Sequence, residues 1–213
     1  MNSTNRVEIF QVVSIRIGVV GLQGAVSEHL AAVERAFKNL QIDGKALWIK
    51  RPDQLKNIDG LIIPGGESTT IGRLMVSGRI FEPIKKLGLE GMPILGTCAG
   101  LILLAKRGDE QVRKTQQPLL GLMDISVVRN AFGRQRESFE ASIRIPKFGE
   151  EPFECVFIRA PAIERVWGNV EILAEYGEKI IAAQQGRLVA MAFHPELTPD
   201  TRAHEYFLKL CRE

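Results

Sequence analysis

The chain has 213 residues, of which 45% are apolar and 25% charged, and a net charge of +3. This is the composition of a water-soluble globular domain long enough to bury one core, and the charge excess is too small to argue for nucleic acid or a membrane surface. Three cysteines, an odd number and widely spaced, argue against a disulfide framework and point to a reducing compartment. No apolar run is long enough to span a bilayer and no secretory leader is visible, so a cytoplasmic location is expected.

In chain order, "IRIGVVGL" (Ile15–Leu22) reads as a strand, and Val26, Leu30, Val33 and Phe37 then share one helical face. "KALWI" (Lys45–Ile49), "GLIIP" (Gly60–Pro64) and "MPILG" (Met92–Gly96) read as strands, with helices around Ile71–Val76 and Ile80–Leu87. Unbroken Ile, Leu and Val runs are those of a parallel sheet covered on both faces. Further on, "ASIRI" (Ala141–Ile145), "CVFIRA" (Cys155–Ala160), "VEILAEY" (Val170–Tyr176), "KIIAAQQG" (Lys179–Gly186) and "RLVAMAFH" (Arg187–His194) are strands with short, largely antiparallel connections. "QQGR" reads as a hairpin turn. A last helix is expected to begin at Pro199 with Thr198 as its N-cap, its stripe formed by Ala203, Tyr206, Phe207 and Leu210. The reading is one α/β domain with a mixed, mostly parallel sheet flanked by helices.

Gly96-Thr97-Cys98-Ala99-Gly100 has the form G-x-C-x-G, the cysteine version of a nucleophile elbow. At so sharp a strand-to-helix corner, a Cβ two residues from the nucleophile would strike neighbouring backbone. The helix start favours thiolate, and the Ala99 N–H can serve an oxyanion hole. An ordinary free cysteine is a small buried hydrophobe. That reading is kept for Cys155 and Cys211, which lack such a setting.

Of three histidines, His29 and His204 fall in amphipathic helices and read as solvated or half-buried helix residues. His194 ends a strand and is followed by Pro195 and Glu196. In an extended chain residues i and i+2 share a side, so Glu196 can orient the imidazole. Small Ala190 and Ala192 leave room beside it. Cys98 and His194 would then both lie at strand C-terminal ends, where open α/β sheets hold their sites. "IIPGGESTT" (Ile62–Thr70) follows the strand before the elbow strand. Its paired glycines can turn N–H groups toward a substrate, and Glu67 and Ser68 add polar groups suited to an amino acid.

Cys98 with His194-x-Glu196 and "PGGES" resembles the class I, triad-type glutamine amidotransferases. "GLQGAVSEH", "KRPDQL", "PGGESTT", "GTCAGLILLAK", "RNAFGRQRESFEA", "FIRAP" and "FHPELT" are similar to one branch, the glutaminase subunits of pyridoxal 5'-phosphate synthases. The resemblance implies a flavodoxin-like amidotransferase fold and a triad of Cys98, His194 and Glu196. It implies glutamine contacts at Gly66, Glu67, Ser68, Arg129, Ile158 and Arg159, and oxyanion donors at Gly66 and Ala99. Gln23 is expected to support the oxyanion loop. The implied activity is hydrolysis of L-glutamine to glutamate and ammonia through a thioester, with no metal or organic cofactor. The ammonia would pass to a (β/α)8-barrel synthase subunit that makes pyridoxal 5'-phosphate, and activity would stay low until that partner docks. Residues 1–14 precede the family's usual first strand and read as an N-terminal extension, a true one or the product of an upstream start. Residues 15–213 form the amidotransferase domain. The charged loop Lys106–Gly121 is given no role.

Rival readings are weaker. Gly18, Gly21 and Gly24 do not form G-x-G-x-x-G, a Walker A loop is absent, and no metal-ligand spacing occurs. Arg129, Arg134 and Arg136 cluster without stacking aromatics, which fits one substrate contact and solvated or partner-facing arginines better than RNA. The alternatives kept are a non-catalytic regulatory partner with this fold, a triad glutaminase serving another synthase, and a cysteine hydrolase or chaperone-like relative of the elbow folds.

Overall fold

The computed structural model describes residues 14–133 and 137–213. All of the expected extension except Ser14 therefore lies outside the described residues, as do Arg134 and Arg136. The first half runs β1 (Ile15–Val20), α1 (Val26–Leu40), β2 (Gly44–Ile49), β3 (Gly60–Ile63), α2 (Ser68–Ser77), α3 (Phe81–Leu89), β4 (Ile94–Thr97) and α4 (Ala99–Leu104). The second runs β5 (Ala105–Gly108), α5 (Glu110–Lys114), β6 (Met123–Val128), β7 (Ser138–Ile143), β8 (Phe153–Ile158), β9 (Ala162–Val166), β10 (Glu171–Tyr176), β11 (Lys179–Gln185), β12 (Leu188–Met191) and α6 (Arg202–Leu210).

The main sheet has the order β2-β1-β3-β4-β12-β11-β9-β6-β5, with β10 added beside β11. From β2 to β12 every neighbouring pair is parallel. Beyond β12 the pairing turns antiparallel until β6 and β5, which are parallel again. Strands β3, β4 and β12 are buried at every position, as continuous apolar runs require when helices cover both faces. Each wholly buried Ile or Leu there contributes about 1.5–3 kcal/mol of apolar burial. The order reverses between β1 and β3, so a crevice opens at the C-terminal ends of β1, β3 and β4. The loops holding Gln23, Gly66 and Cys98 follow those three strands.

A separate two-stranded sheet, β7 with β8, closes one side of this crevice. It is tied to the body by aromatic rings: Phe157 meets Phe193 edge-on at 6.0 Å, and Phe139 stacks on Tyr176 of β10 at 5.6 Å. Across the main sheet, Gly186 and Arg187 turn the β11–β12 hairpin between the paired Gln185 and Leu188, with Gly186 at φ +57.

Two boundaries and two helical stripes differ from expectation. Strand β12 ends at Met191, three residues before His194, which instead leads a 3-10 turn over Pro195–Leu197. The last helix begins at Arg202, not at Pro199. Thr198 bonds the carbonyls of Pro195 and Asp200 and so closes the preceding turn, while Asp200 accepts from the Arg202 amide at the helix start. The buried stripe of α1 takes in His29 in place of Leu30, and that of α6 takes in His204 in place of Tyr206. Strands β5 and β9 and helix α5 carry no alternation strong enough to single them out, whereas β6 alternates, with Met123, Ile125 and Val127 buried, and is absent from the sequence reading.

Candidate active site

Strand β4 delivers Cys98 to the corner before α4 with φ +48 and ψ −97, a conformation that costs a non-glycine residue about 1–3 kcal/mol. The fold holds it there by close packing. A Cβ on Gly100 would lie 2.1 Å from the Ile63 oxygen, and one on Gly96 would lie 2.6 Å from Gly100 backbone. The Cys98 amide bonds the Met191 carbonyl at 2.8 Å, which fixes the nucleophile against β12. Cys98 is 7% exposed. Its Sγ lies 3.9 Å from the Ile158 carbonyl, and it is one of the two groups that hold His194 in its charged form.

His194 Nδ1 is 2.6 Å from Glu196 Oε1, which leaves Nε2 for Cys98. The two residues meet because the 3-10 turn folds Glu196 back over His194, and the same-side rule for an extended chain does not apply. The His194 amide bonds the Val156 carbonyl at 2.8 Å and so anchors the turn to β8. Burial alone would lower the His194 pKa. Hydrogen bonds and charge from Cys98 and Glu196 outweigh it and raise the imidazole to about 10. Burial likewise opposes ionisation of Glu196, but His29 and His194 overcome it and hold the carboxyl below its usual range.

The loop after β3 passes directly over this pair. A Cβ on Gly65 would lie 2.3 Å from His194 Cε1 and 3.3 Å from Cys98 Cβ, so only glycine fits. Gly66 follows at φ +155. The Gln23 side-chain oxygen accepts from the Glu67 amide at 2.8 Å, and the Ala25 amide donates to the Gly65 carbonyl at 3.1 Å. Glu67 caps α2 by accepting from the amides of Thr69 and Thr70. Burial would raise its pKa, but those donors bring it below the ordinary carboxylate value. Ala99 opens α4, so its amide has no acceptor within that helix.

A cleft of about 230 Å³ joins Gln23, Gly66, Glu67, Ser68, Cys98, Ala99, Arg129, Ile158, Arg159 and His194. Every predicted site residue but Glu196 lines it; Glu196 sits buried behind His194. A larger concavity of about 720 Å³, which includes Lys106, Arg107, Arg165 and Trp167, is lined by none of them. Arg129 is 3.6 Å from the Glu67 carboxylate, and Arg159 stands exposed at the rim with φ +43. Among the described residues no cluster of three or more His, Cys, Asp or Glu could hold a metal ion, and no helix is long and apolar enough to cross a membrane.

Two groups escaped the sequence reading. Gln117 lies in the loop given no role, yet its oxygen accepts from Ser68 at 3.1 Å, Thr69 at 3.0 Å and Arg129 at 3.4 Å. Asp109, in the same loop, receives the Arg129 amide at 2.7 Å. Nothing in the local sequence marks either residue, because their partners are far away along the chain. His29 and His204 are the second group. Both are wholly buried, and neither is the solvated or half-buried helix residue expected. His29 reaches the Thr97 hydroxyl at 3.0 Å, His204 at 3.0 Å and Glu196 Oε2 at 3.3 Å. An i, i+3, i+4 stripe drawn through His29, Ala32, Val33 and Ala36 would have placed it on the core face. Cys155 and Cys211 are the packing residues expected: burial raises both thiols, Cys211 to about 12.

Known proteins share this sequence and fold. The model of the SNO glutamine amidotransferase family matches residues 19–213. The pyridoxal 5'-phosphate synthase subunit PdxT of Thermococcus onnurineus is 55% identical over 196 residues, 92% of this chain and 98% of its own length. PdxT of Archaeoglobus fulgidus is 53% identical with the same coverage. A crystal structure of a glutamine amidotransferase superposes with a TM-score of 0.81 at 42% identity, covering 92% of this chain and 99% of that one. The chain belongs to the SNO glutamine amidotransferase family.

Proposed function

We propose that the chain is the glutaminase subunit of a pyridoxal 5'-phosphate synthase, with Cys98 as nucleophile, His194 as acid and base, and Glu196 as the residue that orients it. The observation that carries this reading is Cys98 set beside the His194–Glu196 hydrogen bond at the head of a cleft of amino-acid size. The identity to proteins named as synthase subunits supports the pathway.

Glutamine lies with its side-chain amide over Cys98 and its α-carboxylate toward Arg129 and Arg159, since a guanidinium grips a carboxylate through two hydrogen bonds. Cys98 Sγ attacks the amide carbon, and the amides of Gly66 and Ala99 receive the oxyanion, each donor being worth about 2.7–4 kcal/mol. His194 gives its Nε2 proton to the departing nitrogen, and ammonia leaves a thioester. The negative charge of Cys98 is one cause of the high His194 pKa. Acylation removes that charge, so the imidazole becomes a base in time to take a proton from the hydrolytic water. Glutamate then leaves and the thiolate is restored.

Ammonia freed into neutral water is protonated and lost as a nucleophile, so a receiving subunit is required. We assign that role to a (β/α)8-barrel synthase and place both chains in the cytoplasm, where Cys98 stays reduced. The test is glutamate release from glutamine by the chain alone and with such a synthase subunit. Strong activity only with the partner supports the reading. Activity indifferent to it supports a glutaminase serving another synthase. No release in either case, with Cys98 reduced, overturns the reading in favour of a non-catalytic partner.

A further inference from the structure

Behind the triad lies a sealed polar network that the chemistry above does not use. Helix α1 contributes His29, α6 contributes His204 and β4 contributes Thr97, all at zero exposure. They converge on Glu196, whose Oε1 is engaged by His194 at 2.6 Å and whose Oε2 faces His29 Nε2 at 3.3 Å. Thr97 is the residue just before the nucleophile, and its hydroxyl is 3.0 Å from the same Nε2.

The contacts select one proton arrangement. Were Nε2 of His29 unprotonated, its lone pair would point at an ionised carboxylate oxygen in a site without water-exposed surface. With the proton on Nε2, the N–H is directed to Thr97 Oγ1 at 3.0 Å, and its positive edge faces Glu196 Oε2, an oxygen with no hydrogen bond of its own, at 3.3 Å. Nδ1 of His29 is then the acceptor, and it lies 3.0 Å from Nε2 of His204, which must donate. That leaves Nδ1 of His204 as a bare acceptor, and it is indeed a buried ring nitrogen without a partner. An orphaned acceptor is the less costly remainder, since a buried unpaired N–H is the rarer defect. The chain of donors therefore runs His204 to His29 to Thr97, and it passes 3.3 Å from the oxygen of Glu196 that His194 leaves free.

We infer that His29 is a positioning residue of the active site: oriented by His204, its Nε2–H is held on the Thr97 hydroxyl and sets its positive edge 3.3 Å from the second oxygen of Glu196, which fixes the carboxylate that aligns His194. The groups that face it are Glu196 and His194 from the 3-10 turn, His204 from α6, Thr97 from β4 and, on α1 itself, Glu28; Arg35 acts on His204. Burial outweighs the pull of Glu196 and keeps His29 neutral, as the arrangement requires.

This inference rests on the glutaminase reading for its kinetic readout, so the test carries two others. His29→Gln keeps an N–H at the Nε2 position, whereas His29→Asn keeps only the Nδ1 position. In the complex with the synthase subunit, His29→Asn is expected to lower kcat by about ten- to a hundredfold with KM for glutamine unchanged, as for a catalytic group slightly misplaced. Its Cys98 alkylation by iodoacetamide shifts to higher pH, because a poorly held Glu196 is a weaker counter-charge for His194. His29→Gln retains most of kcat and the wild-type alkylation profile. Equal loss in both variants, or loss in neither, overturns the inference. Nitrogen-15 NMR of the unmodified chain decides the case if a variant fails to fold: neutral His29 protonated at Nε2 is expected, and the Nδ1–H form would refute it. A chain that alkylates with these differences yet never releases glutamate sinks the glutaminase reading and leaves the positioning role standing.

Discussion

His194 and the His29–His204 pair belong to one buried network, yet they hold opposite protonation states. Burial acts on all three alike and favours the neutral ring. Contact with anions separates them. His194 lies between Cys98 and Glu196, and its pKa rises to about 10. His29 meets Glu196 only at 3.3 Å and has a second imidazole on its other side, and its pKa falls. His204 touches His29 and no carboxylate, and burial, with the neighbouring imidazole as a lesser cause, pushes it down to about 3. The side facing the cleft is arranged to move protons, and the sealed side to hold one fixed donor pattern.

Removing the anion at the front gives the largest effect. Cys98→Ala deletes both the nucleophile and one of the two groups that keep His194 charged. Glutamate release is expected to fall by about 10⁴-fold or more. The His194 imidazole, followed by NMR, is expected to titrate well below 10. Should it keep its high pKa, Glu196 alone sets the charge and the contrast needs only one anion.

Removing the anion that both sides share comes next. Glu196→Gln preserves size but leaves His194 without an ionised partner and offers His29 an amide. A comparable loss of the orienting acid in a serine triad costs about 10⁴-fold. Here the expected drop in kcat is about a hundred- to ten-thousandfold, measured in the synthase complex. Retained activity would mean that the 3-10 turn alone positions the ring.

The pH dependence of stability separates the two sides by sign. His29 and His204 have folded pKa values below the ordinary 6.5, so the unfolded chain binds more protons than the folded one below that pH, and stability falls on acidification. His194 has a raised folded pKa, so its contribution is complete below 6.5 and is lost as pH climbs toward 10. Glu196, with a lowered pKa, adds stability above 4.5 that is lost as pH falls through its folded value. Denaturant midpoints are therefore expected to be highest near neutrality. Each buried neutral imidazole contributes a slope of at most about 1.4 kcal/mol per pH unit on the acid side. His204→Gln keeps a donor for His29 but removes one titrating group, so the acid slope between pH 6.5 and 5 is expected to shrink by that of one proton. An unchanged slope would show that His204 is already charged in the fold.

The front of the site was legible in the sequence because sterics wrote it there. Gly96 and Gly100 admit no Cβ, Gly65 passes within reach of His194, and Pro195 fixes the turn that brings Glu196 back. Runs of Ile, Leu and Val likewise announced β1, β3 and β4. The back was not legible. A histidine at a helix position has the same local pattern whether it faces solvent or an unseen partner 175 residues away, the separation of His29 from His204. The boundaries of α6 and β12 failed for a related reason. Thr198 and His194 each had a plausible local role, as cap and as strand end, and the long-range demands of the triad turn overrode both. In the far half of the sheet, β5 and β9 depend on cross-strand pairing more than on their own patterning, while β6 carried a legible alternation at Met123, Ile125 and Val127.

Gln117 tests whether the front wall, too, depends on a buried polar residue that the local pattern hides. Its oxygen collects hydroxyls from Ser68 and Thr69 and a guanidinium N–H from Arg129, while its buried Nε2 has no partner. The residue therefore works through its acceptor, and it holds the pocket wall without touching the reacting atoms. Gln117→Ala frees Ser68 and lets Arg129 swing, which weakens ground-state and transition-state binding alike. KM for glutamine is expected to rise about tenfold, the cost of roughly 1.4 kcal/mol, with kcat changed little. A fall in kcat at constant KM would place Gln117 instead with Glu196 and His29, as a group whose position matters only when the bond breaks.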